Sequence, residues 1–165
     1  MTIELRPVQS GDYEYVIPRV DHWWGGRKMG ALLPRLFFEH FSPTTTIAID
    51  ADSKRIAGFV CGFVSQTDPT VAYIHFVGID PERRGAGVGR TLYEWFFAQA
   101  VTLGCRRVRC VTAPQNSGSR AFHAAMGFSE HWVEDYDGQV EPRIVFSREL
   151  VHSEGGKDAR AAREP

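Results

Sequence analysis

Val77-Gly78-Ile79-Asp80-Pro81-Glu82-Arg83-Arg84-Gly85-Ala86-Gly87-Val88-Gly89-Arg90-Thr91 is the stretch on which the reading of this chain turns. It begins as an apolar strand, turns at Asp80-Pro81, and passes through glycine and arginine into an amphipathic helix. Glycine lets backbone N–H groups approach a ligand where a Cβ would block them. A helix N-terminus adds free donors and partial positive charge. Arg83, Arg84 and Arg90 add full charges. These features predict a pocket for a phosphate-bearing ligand.

Three phosphate loops can be compared with it. A P-loop needs Gly, four residues, then Gly-Lys-Ser/Thr; counting back from Gly89 puts Arg84 at the first glycine, and Arg90 at the lysine. A dinucleotide loop needs Gly-x-Gly-x-x-Gly; from Gly85 the third glycine falls on Arg90, and from Gly87 on Leu92. The pattern Arg/Gln-x-x-Gly-x-Gly/Ala is met in full by Arg84-Gly85-Ala86-Gly87-Val88-Gly89. By itself this hexamer also fits an ordinary glycine-rich turn with surface arginines. A second block lies downstream, Asn116-Ser117-Gly118-Ser119-Arg120-Ala121-Phe122-His123-Ala124-Ala125-Met126-Gly127-Phe128.

The two blocks, in this order, resemble the coenzyme A loop and the following Asn-x-x-Ala-x-x-Phe-Tyr-x-x-x-Gly-Phe motif of the GNAT (Gcn5-related N-acetyltransferase) superfamily. Asn116, Phe122, Gly127 and Phe128 match; Ser119 replaces a small Ala, and His123 stands where Tyr is usual. The resemblance implies the GNAT fold, an α/β (α+β) arrangement with a mixed, mostly antiparallel sheet of about seven strands and helices on both faces. It implies acetyl-CoA as cosubstrate and an amine as acceptor. It also implies a possible homodimer through the terminal hairpin strands.

Composition is compatible with this and excludes other classes. A chain of 165 residues is long enough for one domain with a sizeable core. Its formal net charge of −1 leaves no broad basic field for nucleic acid or a membrane surface. No apolar run is long enough to span a bilayer, and Met1 to Arg6 lacks a signal-peptide layout. Cys61, Cys105 and Cys110 form no Cys-x-x-Cys pair and read as buried thiols in a reducing compartment. The expected location is the cytoplasm. Residues 1–150 are expected to form a single domain, and residues 151–165 a disordered tail.

Periodicity predicts strands at Thr2–Val8, Thr44–Asp50, Ile56–Gln66, Val71–Ile79 and Arg107–Thr112. Helices are expected from Ser10 or Gly11 to Val20 (with Pro18 a disruption near the end), Ala31 to Phe41, Gly87 to Leu103, and Asn116 to Met126. Asp21 to Arg27 reads as a loop. Phe128–Tyr136 and Val140–Leu150 read as a hairpin turning at Asp137-Gly138.

Several residues could carry the chemistry. Backbone N–H groups from Gly85 through Ala86, Gly87, Val88 and Gly89 to Arg90 would hold pyrophosphate, with Arg84 as a charged partner. By resemblance, Val77, Gly78 and Ile79 hold the pantetheine arm along the strand edge, and Val77 N–H serves as oxyanion donor. Val77 and Ile79 also read as core. Asn116 resembles a cofactor contact and equally suits a helix N-cap. Ser119 and Phe122 resemble cofactor contacts too, Ser119 also fitting a plain helix surface. His123 is either the acid that protonates the departing thiolate or a packing residue. His75 is either the base that drains the ammonium proton or a core histidine. Its strand parity with Tyr73, Val77 and Ile79 predicts one shared face. Trp23, Trp24, Arg27 and Tyr73 could contact the acceptor, with Asp21 beside the tryptophans as a counter-charge for a cationic amine or Arg27 holding a carboxylate. One Trp could instead plug the core. No histidine spacing suggests a metal.

The leading expectation is an acetyl-CoA-dependent N-acetyltransferase for a small primary amine. A protein lysine or N-terminus as acceptor, and a non-catalytic acyl-CoA sensor, are the alternatives.

Overall fold

A computed structural model describes residues 2–138 and 141–151. Its elements follow the expected order: β1 (Ile3–Pro7), α1 (Asp12–Trp23), α2 (Leu36–His40), β2 (Thr45–Asp50), β3 (Ile56–Val64), β4 (Val71–Ile79), α3 (Val88–Thr102), β5 (Arg107–Thr112), α4 (Ser117–Ala125), β6 (Ser129–Val133) and β7 (Arg143–Glu149). The expected tail from 152 onward and residues 139 and 140 of the expected hairpin lie outside the described residues.

Two expectations about breaks are corrected, both at prolines. Helix α1 runs through Pro18 to Trp23. The ring removes only the bond to the Glu14 carbonyl, while Val16, Val20 and Trp23 recur at helical spacing and are buried. Asp21 to Trp23, expected as loop, are therefore helical. Pro34 does the opposite. It holds Leu33 extended (φ −113°, ψ 85°), so the expected single helix becomes a turn at Gly30–Leu32 and the short α2. The terminal hairpin is also looser than a two-residue turn: Val133 pairs with Arg143, and Tyr136–Gly138 forms a 3-10 turn between them.

The sheet order is β1-β2-β3-β4-β5-β7-β6. Every pairing is antiparallel except β4 with β5, which run parallel and pair only from Val71↔Arg107 to Tyr73↔Arg109. Beyond Tyr73 the two strands part. Helices α3 and α4 cover one face, where Val88, Leu92, Phe96 and Ala100 of α3 form a buried row against Val60, Ile74 and Val108. Helices α1 and α2 cover the other, where Val16, Val20, Trp23, Phe37 and Phe38 close on Ile47, Phe59 and Phe76. Each fully buried side chain of this size contributes about 1.5–3 kcal/mol.

The centre of β4 breaks the alternation. Cys61 faces Phe76 and Gly62 faces Ile74, so His75 is an extra residue, a β-bulge. Gly62 is required opposite it: a Cβ there would lie 2.2 Å from the Tyr73 carbonyl oxygen and 2.7 Å from the Phe96 ring. The bulge overturns the expected shared face. Tyr73 packs on Phe63, His75 on Phe37, and Phe76 on Trp24, all on the α1/α2 side. Val77 and Ile79 pack on the α3/α4 side.

Candidate active site

The parting of β4 from β5 leaves one edge of β4 without a strand neighbour among the described residues from Ile74 to Ile79. Asp80 N–H donates to Ala57 O at 2.9 Å, toward β3. By the two-residue period, Gly78 also turns its backbone to β3, whereas Val77 and Ile79 turn theirs into the split. Two cavities open along it, of about 780 and about 510 Å³. They meet at Trp24, Arg27, Val77, Tyr93, Asn116, Ser119 and His123.

The smaller cavity lies beside the glycine loop and includes Ile79, Arg84, Gly89 and Phe122. Gly85 and Gly87 have φ of 78° and 82°, the left-handed region that a side chain resists, and nothing lies within 4 Å of where a Cβ would point. No side chain caps α3, and its first intrahelical donor is Thr91, bonded to Gly87 O at 3.0 Å. The N–H groups of the first turn therefore carry the helix's unmet donors and its positive end. The arginines are partly engaged. Arg83 pairs with Asp50 at 3.1 Å, Arg90 with Glu94 at 3.5 Å, and Arg84 donates to the Trp23 carbonyl.

The larger cavity extends past Tyr73, His75, Tyr136, Glu141 and Arg143 to Arg27, Met29 and Leu32. His75 stacks on Phe37 with centroids 4.5 Å apart, and its Nε2–H donates to Leu32 O at 2.8 Å. A carbonyl only accepts, so the lone pair of the neutral ring is at Nδ1. The two tryptophans divide their roles. Trp24 packs on Phe76 with centroids 4.6 Å apart and lines both cavities. Trp23 is 2% exposed against Phe59 and borders the smaller cavity but not the larger, so it is a core plug rather than part of the acceptor cavity. Asp21 lines neither cavity: its Oδ1 accepts the Met29 and Gly30 amides at 2.8 Å each and closes the loop.

Asn116 unites its two readings. Its Oδ1 caps α4 by accepting Ser119 N–H at 3.2 Å, its Nδ2 donates to Thr112 Oγ1 at 3.2 Å, and it lines both cavities. His123 is the buried residue of α4 and lies flat on Phe146, with centroids 4.0 Å apart. Its Nδ1–H donates to Ser119 O at 2.7 Å. Nε2 is then an acceptor, 2.9 Å from Tyr93 Oη and 3.2 Å from Cys110 Sγ. Burial lowers the pKa of His123 and raises those of Cys110 and Tyr93, so all three are held neutral. This weighs against His123 as a standing imidazolium acid: in the ligand-free site the charged form is disfavoured, and the one N–H is occupied.

The sequence does not single out Tyr93, and it marks Cys110 only as one of three buried thiols. A weak signal for Tyr93 exists in its helical spacing, four residues after Gly89 on the row that faces α4. Cys110 gives none, because a buried thiol on a strand looks like core.

A model of the acetyltransferase (GNAT) family matches residues 12–128. The chain belongs to this family. Among its curated relatives, mycothiol acetyltransferase of Kocuria rhizophila is 30% identical over 89 residues, which are 52% of this chain and 29% of that protein. An uncharacterized N-acetyltransferase of Methanocaldococcus jannaschii is 34% identical over 80 residues, 46% of this chain and 35% of that protein. The chain thus spans about a third of the length of the curated relatives it matches. Solved family structures share the fold along most of the chain. Ard1 from Thermoplasma volcanium has a TM-score of 0.75 at 21% identity, covering 92% of this chain and 100% of that one. Diaminobutyrate acetyltransferase from Paenibacillus lautus, solved with L-2,4-diaminobutyric acid and coenzyme A, has a TM-score of 0.67 at 19% identity, covering 88% and 94%. The split strands and the uncapped α3 therefore belong to a GNAT sheet, with His123 where the family motif has Tyr.

Proposed function

We propose that this chain is an acetyl-CoA-dependent N-acetyltransferase that acetylates the primary amine of a small molecule by direct attack on the thioester. The observation that carries the reading is the split: the backbone of Val77 and Ile79 faces it between an uncapped helix N-terminus and a separate cavity with a histidine. Coenzyme A suits the donor side because the open glycine loop and the first turn of α3 offer amide donors to a pyrophosphate. When bound, it supplies an activated acyl thioester.

Gly85 to Arg90, with Arg84, hold the phosphates in this reading. Val77, Gly78 and Ile79 line the pantetheine arm opposite Asn116, Ser119 and Phe122. Val77 N–H donates to the oxyanion, where a preorganised donor is worth roughly 10²–10³ in rate. His75 Nδ1 takes the ammonium proton. The departing thiol has an ordinary pKa near ~8.5 and leaves as thiolate without an obligatory protein acid.

The acceptor wall favours one kind of amine. Arg27, Arg143 and Glu141 line the larger cavity, and Glu141 pairs with Arg143 at 3.4 Å, so among the described residues the arginines and carboxylate of the lining leave one net positive charge. A second positive charge on the acceptor is therefore repelled, and a carboxylate is attracted. Trp24 and Tyr73 supply the apolar flank. Coenzyme thiol release across amino acids, simple amines, polyamines and peptides tests this. Turnover concentrated on small carboxylate-bearing amines supports it. Preference for polyamines or peptides would overturn the acceptor assignment, and no turnover with any amine would overturn the transferase reading.

A further inference from the structure

We propose that Cys110 is a self-acylation site, with His123 as its base, at the junction of the two cavities. The geometry is that of an activated nucleophile: a thiol within hydrogen-bond reach of a base that a third group orients. Cys110 Sγ lies 3.2 Å from His123 Nε2, and Nδ1–H on the far side of the ring is tied to Ser119 O at 2.7 Å. Both Cys110 and His123 line the larger cavity. The other two thiols differ. Cys61 is fully buried under Phe76, and Cys105 is directed at the Pro69 carbonyl, away from either cavity.

The step balances without a further reactant. Cys110 gives its S–H proton to His123 Nε2 while Sγ bonds to the acyl carbonyl carbon of the donor thioester. The bond from that carbon to the donor sulfur breaks, and the departing thiolate takes the proton from Nε2. One thioester replaces another, so no oxidant or external energy is needed. Because the base is present at the moment of attack, no standing thiolate is required. Two features set the rate. Tyr93 Oη–H, at 2.9 Å, competes with Cys110 for the same lone pair. An acceptor amine competes for the same carbonyl, so acylation of Cys110 is greatest when acceptor is absent.

The acyl step rests on the transferase reading, whereas the reactivity of the pair does not, so two measurements separate them. The first is iodoacetamide labelling of the ligand-free protein, resolved by peptide mass. Cys110 is expected to label at least tenfold faster than Cys61. Its rate should rise as His123 loses its proton on the acid side, be flat at neutral pH, and be slowed by His123→Gln and hastened by Tyr93→Phe. Labelling no faster than Cys61, or indifferent to His123, overturns the pair whatever the cosubstrate. The second is incubation with acetyl-CoA alone. An acetyl increment on Cys110 that hydroxylamine removes, that acceptor suppresses, and that is absent from a Cys110→Ala variant shown to be folded by circular dichroism, is the expected result. Amine turnover with no such increment overturns self-acylation and leaves the transferase reading standing. Absence of both coenzyme binding and turnover overturns both.

Discussion

In the proposed reading, the ligand-facing groups on the donor side of the split are backbone amides of Val77, Ile79 and the first turn of α3. On the acceptor side they are side chains brought from separate segments: Trp24 and Arg27 after α1, Tyr73 and His75 on β4, Tyr136, Glu141 and Arg143 around the last hairpin. The difference follows from what each side must recognise. A pyrophosphate is met by any row of N–H donors, so the constraint falls on backbone conformation and leaves glycines in the sequence. An acceptor is met by shape and charge, which remote residues supply once the fold has assembled them. Substitutions on the two sides should therefore fail differently.

The largest effect is expected at His75. His75→Gln keeps an N–H donor for Leu32 O but removes the lone pair of Nδ1. Loss of a general base lowers kcat by roughly 10²–10⁴, while coenzyme affinity, measured by calorimetry, stays unchanged. An unaltered kcat would make His75 a latch between β4 and the Gly30–Leu32 turn and nothing more.

Gly87→Val probes the other side. Gly87 sits at φ 82° with no steric neighbour, so the substitution meets backbone strain alone. A left-handed conformation costs a β-branched residue about 1–2 kcal/mol. Roughly a tenfold rise in the coenzyme Kd is expected, with kcat at saturating coenzyme nearly intact. A fall in kcat at constant Kd would show that the loop positions the thioester rather than only holding the phosphates.

The same contrast explains how much the sequence disclosed. Val71–Ile79 and Arg107–Thr112 were bounded correctly because their apolar runs end at turn residues. The loop at Arg84 to Gly89 is legible as a loop because its left-handed backbone at Gly85 and Gly87 demands glycine. The face assignment of His75 was not, because a bulge depends on the partner strand: only the pairing of Cys61 with Phe76 and of Gly62 with Ile74 reveals the extra residue. The contact of His123 with Tyr93 and Cys110 was likewise hidden. It joins α3, α4 and β5, and no spacing along the chain encodes it.

That junction gives the smallest effect and the one least dependent on any ligand. His123 is buried beneath Phe146 and beside Tyr93 and Cys110, both of which burial keeps uncharged. Its own pKa is lowered in the folded state, chiefly by desolvation, whereas an unfolded chain binds that proton near pH ~6.5. Below that value, down to the lowered folded pKa, the unfolded state therefore holds more protons, and stability rises with pH through this window. Above it the contribution of His123 is flat. One proton is worth at most about 1.4 kcal/mol per pH unit, so the urea midpoint should fall modestly on acidification. In His123→Gln that part of the acid-side slope should vanish, even if the variant is less stable at neutral pH through the loss of its Ser119 and Tyr93 contacts. Identical slopes in the two proteins would mean that the split admits enough water to solvate an imidazolium. A standing imidazolium acid at His123 would then be favoured, and the donor and acceptor sides would meet at a charged group rather than a neutral one.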